Sequence, residues 1–280
     1  MEETSTRLAH LIEERIGMQA KLSIPRIAAM LETMAPAARQ TWSKSLLDSQ
    51  PDDPSWLDFI EDIFNHETFF FRHPRQLQHL AENVLPDLIR ARRQRGETRF
   101  RVWCAGCSSG EEVHSIALLV RQSLASPEGG GVGQWDLEFL GTDLSSRILD
   151  TARRGHYVAS PGLNSFRDIP DYAQDWFRAV LHEGRDVWSP DPDLARRMRF
   201  LPHNLTCDPP PLGDVDLVLC RNILIYFNLR HAHAAIATLA QALRPGGILV
   251  LGPADGLREA PGLEMVCDPQ AVVWRKREAA

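Results

Sequence analysis

The chain predicts an α/β protein: a doubly wound, mostly parallel sheet with a small antiparallel β insertion, preceded by an all-helical N-terminal domain. Three stretches carry that expectation. Phe100 to Trp103 is a short apolar strand leading through a small-residue turn, Cys104 to Gly110, into a helix that opens on Glu111 and Glu112. Its Val113, Ile116, Ala117 and Val120 fall at helical spacing. Leu137 to Asp143 is a second apolar strand, and it ends in an acid. Asp214 to Cys220 is a third, followed by an alanine-rich helix over 229–243 and a strand from Ile248 to Gly252. Strands alternating with helices need crossover connections, so the sheet is mostly parallel and its ligands lie at the carboxyl ends of the strands.

At 280 residues the chain has room for one large domain or two modest ones. Its 44% hydrophobic and 24% charged content is ordinary for a globular protein, and a net charge of -6 gives no pull toward nucleic acid or an anionic membrane. No apolar run is long enough to span a bilayer, and the first residues, MEETSTRLAH, are acidic where a signal peptide is basic. A cytoplasmic protein without membrane insertion is expected. The five cysteines point to reduced thiols. Cys104 and Cys107 form a C-x-x-C, but Cys207, Cys220 and Cys267 are too scattered to complete a zinc site. No metal is expected, and the pair reads as small residues filling a tight turn.

Residues 1–75 read as a helical domain. Leu8, Leu11, Ile12 and Ile16 mark one helix, Ile24 to Met34 a second and Ser55 to Phe64 a third, with breaks at Pro25, Pro36, Pro51 and Pro54. Asn65 to Arg72, NHETFFFR, is no simple amphipathic helix. Phe69 to Phe71 suit an aromatic plug between domains, while Thr68 and Arg72, four apart, can share a face toward a ligand. Residues 76–97 form a connecting helix and linker with Leu77, Leu80, Val84, Leu85 and Leu88 on its apolar side. A basic run follows, Arg90 to Arg101, a candidate docking segment for an acidic partner. Residues 98–280 hold the sheet. After its second strand Ser145 is placed to cap a helix that runs to Arg154. Residues 155–203 break the rhythm: Trp176 to His182, Val187-Trp188 and Arg199 to Pro202 read as strands of the antiparallel insertion. Arg244-Pro245-Gly246-Gly247 stops the alanine-rich helix, and Met265 to Cys267 with Ala271 to Trp274 form a closing hairpin.

The glycine turn does not suit a phosphate, which wants bare backbone amides and often a lysine; this one delivers carboxylates. Carboxylates there either complement the helix dipole or meet a cationic, donor-rich ligand. S-adenosylmethionine (SAM), with its sulfonium, ammonium and ribose diol, is such a ligand. Asp143, at the end of the second strand, stands where a carboxylate accepts two ribose hydroxyls. The turn lacks G-x-G-x-x-G, which disfavours an NAD-dependent oxidoreductase.

Five segments occur in order: NHETFFFR, RVWCAGCSSGEE (Arg101 to Glu112), LGTD (Leu140 to Asp143), HNL (His203 to Leu205) and CRNILIYF (Cys220 to Phe227). Together they resemble the CheR-type chemotaxis receptor methyltransferases, protein-glutamate O-methyltransferases that transfer a methyl group from SAM to receptor glutamates. The resemblance covers nearly the whole chain. It implies the class I SAM-methyltransferase fold, with Ala105 and Gly106 passing the methionine moiety and Glu111 and Asp143 on the cofactor's polar groups. It also implies Asn204 and Leu205 at the adenine, Arg221 and Asn222 at the methionine end, and Thr68 and Arg72 closing over the cofactor. Tyr226 falls on the family's active-site tyrosine, and Arg72 and Tyr226 are the expected catalytic pair. The family commonly reads Asn-Glu-Thr or Asn-x-Thr before the aromatics, so here His66 stands at the usual asparagine and is included among the cofactor residues. The turn Gly252 to Gly256, GPADG, departs from the family's histidine- or serine-bearing version and takes no role.

The resemblance further implies a chemoreceptor cytoplasmic domain as partner, met by Arg90 to Arg101 and by the β subdomain, in sensory adaptation. A glutamate is already ionised at neutral pH, its unperturbed pKa being about 4.3, so no general base is needed. Arg72 or Arg221 would hold the attacking carboxylate and Tyr226 would orient it. The alternatives are a SAM-binding regulatory module and a methyltransferase of another acidic protein.

Overall fold

The structure, a computed structural model, describes residues 2–64, 66–158, 165–167, 169–176, 178–182, 185–256, 259–268 and 271–278. Asn65, which opens the predicted aromatic segment, lies outside them.

Four helices come first: α1 (Glu2–Ile16), α2 (Ala20–Glu32), α3 (Pro36–Asp48) and α4 (Pro54–Ile63). Leu8, Ile12, Ile27, Leu31, Leu46, Trp56, Phe59 and Ile60 are shared in one core. Pro36 and Pro54 each open a helix, where a missing N–H costs nothing, and Asp53 caps α4 by accepting from the Ser55 N–H. Pro25 does not break the chain as expected. It lies inside α2, whose face of Ala20, Ser23, Ile27 and Leu31 is buried on both sides of it. That tertiary burial outweighs the cost of a mid-helix proline, about 3 kcal/mol. Helix α3 escaped the sequence pattern because it buries only Ser43 and Leu46.

The connecting helix is α5 (Pro74–His79) and α6 (Leu85–Gln94), joined without a break by one π turn over Leu80–Val84. Pro86 sits just after that turn. A proline has no N–H to give and its ring presses on the carbonyl four residues back, and a widened turn relieves both.

The remaining elements are β1 (Arg99–Ala105), α7 (Glu111–Ala125), β2 (Asp136–Asp143), α8 (Ser146–Arg154), β3 (Tyr157–Val158), β4 (Arg178–His182), β5 (Arg185–Ser189), α9 (Pro192–Ala195), β6 (Met198–Pro202), β7 (Val215–Cys220), α10 (Leu229–Ala242), β8 (Leu243–Leu251), β9 (Leu263–Asp268) and β10 (Ala271–Lys276). Seven of the strands make one sheet in the order β6-β2-β1-β7-β8-β10-β9. The first five run parallel, and β10 enters antiparallel between β8 and β9. The order reverses between β1 and β7, and such a switch point opens a crevice beyond the strand ends.

Ser145 caps α8 by accepting from the Ile148 N–H at 3.1 Å, as its position predicts. The insertion is a three-stranded antiparallel sheet, β3-β5-β4. Arg199 to Pro202 does not belong to it: β6 pairs parallel with β2, Leu140 opposite Arg199, and completes the main sheet's edge. A short strand's sequence does not encode its partner, and so the pattern could not tell the two sheets apart. Phe70, Phe71, Leu77, Leu80, Leu85, Leu88 and Ile89 pack into the core under the sheet with Phe100, Val102 and Val113. The packing therefore divides near 64–69, whereas the sequence puts the division at 75.

The basic run makes ion pairs within the chain. Arg92 is buried, donating through Nε to Asp216 Oδ1 at 2.7 Å and pairing with Glu97 and Asp214. Arg90 pairs with Asp87, Arg95 with Glu278, and Arg99 and Arg101 with Glu138, while Arg93 donates to the Glu128 carbonyl. The segment sits at the amino end of β1, a strand length, about 20 Å, from the carboxyl ends. Arg92 is the buried member; Arg90, Arg95 and Arg99 are about half exposed in their pairs.

Candidate functional site

The carboxyl ends of β1, β2, β6 and β7 face the helical unit across a cleft of about 1270 Å³, its open mouth included. Four segments line it: 106–108 after β1, 142–144 at the end of β2, 203–205 after β6 and 221–223 after β7. Ile16, Phe64 and residues 66–69 close it from the helical side.

The glycine turn is shaped by its own hydrogen bonds. Gly106 and Cys107 both donate to the Thr142 carbonyl, at 2.7 and 2.8 Å, and the Ser108 N–H goes to Asp143 Oδ2 at 2.9 Å. These amides are consumed, so the turn offers no amide cradle for phosphate, as its composition predicts. Gly106 has φ +72, and a Cβ there would stand 2.4 Å from Ile223 Cδ1. Only glycine lets the loops after β1 and β7 meet. Cys104 and Cys107 are buried beneath, where burial pushes both thiols well up and keeps them protonated.

Asp143 accepts from the N–H groups of Ser108 and Ser145, and burial pushes its carboxyl upward against that stabilisation. A carboxylate has about four acceptor sites, so capacity remains for a ligand. Opposite it, the buried Arg221 gives Nη1 to Glu112 at 2.7 Å, Nε to Gln76 Oε1 at 2.9 Å and Nη2 to the Arg72 carbonyl. Burial raises the Glu112 carboxyl and the Arg221 charge holds it back. Gln76 in turn donates to the Leu251 carbonyl at 2.7 Å, which ties this network to the sheet.

The segment ahead of α5 is threaded onto the sheet by Ser108 Oγ donating to the His66 carbonyl at 3.0 Å and by the Phe71 N–H donating to Ser115 Oγ at 3.0 Å. Phe69, Phe70 and Phe71 are buried, with Phe70 edge-on to Tyr157 at 4.9 Å. The sequence predicts a plug between domains; Phe70 and Phe71 instead belong to the core of the sheet unit, and Phe69 lines the cleft. Among the described residues, four of the five non-glycine residues with positive φ, namely Phe71, His73, Ser108 and Asn222, belong to this region. Such backbone costs about 1–3 kcal/mol per residue and collects where a site needs fixed geometry. His73 Nε2 donates to Asn222 Oδ1 at 3.1 Å, and burial keeps its ring neutral.

Of the residues singled out in the sequence, His66, Thr68, Arg72, Gly106, Asp143, Asn204, Leu205, Arg221, Asn222 and Tyr226 line the cleft together. Ala105 does not: it is the last residue of β1, buried in the sheet's second core. Glu111 does not either. Its carboxylate accepts from Ser109 and Ser165, both at 2.7 Å, and only 2% of the residue is exposed. Glu112, the next residue, lines the cleft instead. Neighbours on a helix point about 100° apart, so one of the paired acids had to face away, and the sequence does not say which. Arg221 is also spent on Glu112, Gln76 and Arg72, which leaves Arg72 as the cleft's half-exposed guanidinium, with Nη1 on the Glu67 carbonyl at 2.8 Å. Asn204 uses its Oδ1 on Thr206 and its Nδ2 on the Arg15 carbonyl of α1.

A family model described as CheR methyltransferase, SAM binding domain, matches residues 66–273. The chain belongs to the CheR methyltransferase family. Chemotaxis protein methyltransferase 1 of Pseudomonas aeruginosa is 32% identical over 225 residues, 78% of this chain and 76% of that one. Chemotaxis protein methyltransferase 2 of Vibrio cholerae is 32% identical over 200 residues, 71% of this chain and 65% of that one. The chemotaxis protein methyltransferase of Listeria innocua is 32% identical over 198 residues, 71% and 68% of the two chains. This CheR-family chain is a SAM-dependent methyltransferase of class I fold. The cleft holds two carboxylates, Asp143 accepting from two backbone N–H groups and Glu112 paired with Arg221. Among the described residues no helix is long and apolar enough to cross a membrane.

Proposed function

We propose that this chain transfers the methyl group of SAM to glutamate side chains of chemoreceptors, forming methyl esters in sensory adaptation on the cytoplasmic side. The observation that carries the reading is the meeting of Arg72 and Tyr226 with Asp143 and the Glu112–Arg221 pair in one cleft of a CheR-family chain. In this reading the cofactor is held between the helical unit, which ends near 64–69, and the sheet-bearing remainder of the chain.

Asp143 takes the ribose diol and Glu112 the cationic end, while Gly106, Asn222 and Thr68 pass the methionine moiety. Asn204, Leu205 and His66 flank the adenine end. Bound there, SAM supplies a methyl group on a sulfonium, already activated toward an ionised carboxylate. The protein's work is alignment and exclusion of water, worth about 7–11 kcal/mol at most. Arg72, which lines the cleft, holds the incoming carboxylate, and Tyr226 orients it by one hydrogen bond. Phe69 to Phe71 keep the floor dry. The receptor contact is assigned to the β3-β5-β4 sheet, in which β4 is an edge strand among the described residues and an added strand would extend the sheet.

The test is incubation with methyl-labelled SAM and the cytoplasmic domain of a chemoreceptor. Label that leaves as methanol in mild alkali, and disappears when the acceptor glutamates become alanine, is expected. Alkali-stable label, or none, rejects glutamate as the acceptor.

A further inference from the structure

The loop that follows β7, Asn222 to Phe227, bears both Asn222 and Tyr226; one 3-10 turn, Leu224–Tyr226, and a bridge from Phe227 to Met18 are its regular structure. Its Tyr226 and Phe227 N–H groups close the turn on the Ile223 and Leu224 carbonyls, and those of Asn222 and Ile225 meet one side chain. Asp255, 1% exposed in the turn after β8, accepts from the Asn222 N–H through Oδ2 at 2.6 Å and from the Ile225 N–H through Oδ1 at 3.1 Å. The same Oδ2 takes the Gly252 N–H at 2.9 Å, which fixes the carboxylate to its own turn. The approach is close enough that a Cβ on Gly252 would stand 2.7 Å from the Asn222 nitrogen and 2.8 Å from Asp255 Oδ2. From the other side Gln19, just before α2, takes the loop's carbonyls: its N–H donates to Tyr226 at 2.8 Å and its Nε2 to Phe227 at 2.9 Å.

We propose that Asp255 is the positioning residue of the methyl-transfer site, clamping the Asn222–Phe227 loop from its N–H side while Gln19 holds the carbonyl side. A buried carboxylate meeting amide N–H groups makes charge-assisted bonds, about twice as strong as neutral ones. It holds Asn222 in the left-handed conformation, φ 61, that a non-glycine residue otherwise avoids. The inference rests on the functional reading in one respect, that Tyr226 meets the acceptor.

Three variants test it: Asp255→Asn, Tyr226→Phe and the double variant, read by SAM affinity and by kcat on a chemoreceptor cytoplasmic domain. Asparagine keeps the shape but turns a donor toward the loop's own donors. Asp255→Asn is expected to weaken SAM binding about tenfold and to lower kcat about thirtyfold. In the Tyr226→Phe background the same change is expected to lower kcat no more than threefold, because it acts through that tyrosine. A fold lesion would instead carry its full effect into both backgrounds, and that result overturns the proposal, as do unchanged affinity and kcat. SAM binding needs no acceptor, so a wild type that binds SAM yet labels no receptor refutes the receptor reading, while the affinity ratio still decides the clamp. Should Asp255→Asn fail to fold, Gln19→Ala keeps the test open: kcat about fivefold lower at an unchanged melting temperature supports the clamp, and unaltered kcat overturns it.

Discussion

His114 lies on α7 with 2% of its surface exposed, enclosed by the rings of Tyr157 at 5.8 Å, Phe70 at 6.3 Å and Phe200 at 6.4 Å. Neither ring nitrogen has a partner among the described residues. Burial alone pushes its pKa from 6.5 down to about 3. The unfolded chain therefore binds a proton below pH 6.5 that the folded chain refuses, and stability falls as the pH drops through that window. At pH 5 the loss relative to pH 7.5 is about 2 kcal/mol, from the protonation of an unfolded histidine 1.5 units below its pKa. Glu111, Glu112, Asp143 and Asp255 act oppositely, because burial raises their folded pKa values and the folded state gains from their protonation. Those four are common to wild type and to His114→Leu, so the difference between the two proteins isolates the histidine. Urea unfolding of both at pH 7.5 and pH 5.0 is the assay. We expect the variant to be at least as stable at pH 7.5, since two unsatisfied buried nitrogens are removed at about 1–3 kcal/mol each. It should also gain about 2 kcal/mol on wild type at pH 5.0. Parallel pH dependence in the two proteins would falsify the reasoning.

The remaining predictions concern the cleft. Tyr226→Phe should lower kcat about tenfold with SAM affinity unchanged in a calorimetric titration, because only the acceptor loses a hydrogen bond. Gly106→Ala should abolish SAM binding, since its Cβ meets Ile223 Cδ1 at 2.4 Å on a backbone at φ +72; a folded variant with wild-type affinity contradicts the packing. Glu112→Gln leaves the buried Arg221 without its counter-charge, and removing one partner of a buried pair costs about 3–5 kcal/mol, which thermal unfolding should register. Glu111→Gln should leave SAM affinity within twofold, its carboxylate being given to Ser109 and Ser165.

Much of this was legible in the residues. The strand–turn–helix from Phe100 to Val120, the acid closing β2 and the cap at Ser145 each carry local chemistry strong enough to fix local structure. What failed were statements about partners. The strand at Arg199 to Pro202 looks the same whether it joins an insertion or a sheet edge, and only its pairing with β2 decides. Pro25 reads as a break until the burial on either side of it is known. Arg92 reads as surface charge until Asp216, far along the chain, is found against it. Glu111 and Glu112 differ by a rotation that no spacing rule resolves. Asp255 lay in a turn that matched no family pattern, and its role appears only when the loop after β7 is folded over it. In each case the missing information was long-range.

The measurement that bears most directly on the account is calorimetric titration of SAM and S-adenosylhomocysteine into wild type and Asp143→Ala. Two charge-assisted hydrogen bonds from a diol, at about 1.5–3 kcal/mol each, make the expected loss in the variant roughly two to four orders of magnitude in affinity. Wild-type binding that disappears in a folded Asp143→Ala protein places the cofactor in the cleft. Equal affinity in the two proteins contradicts that placement.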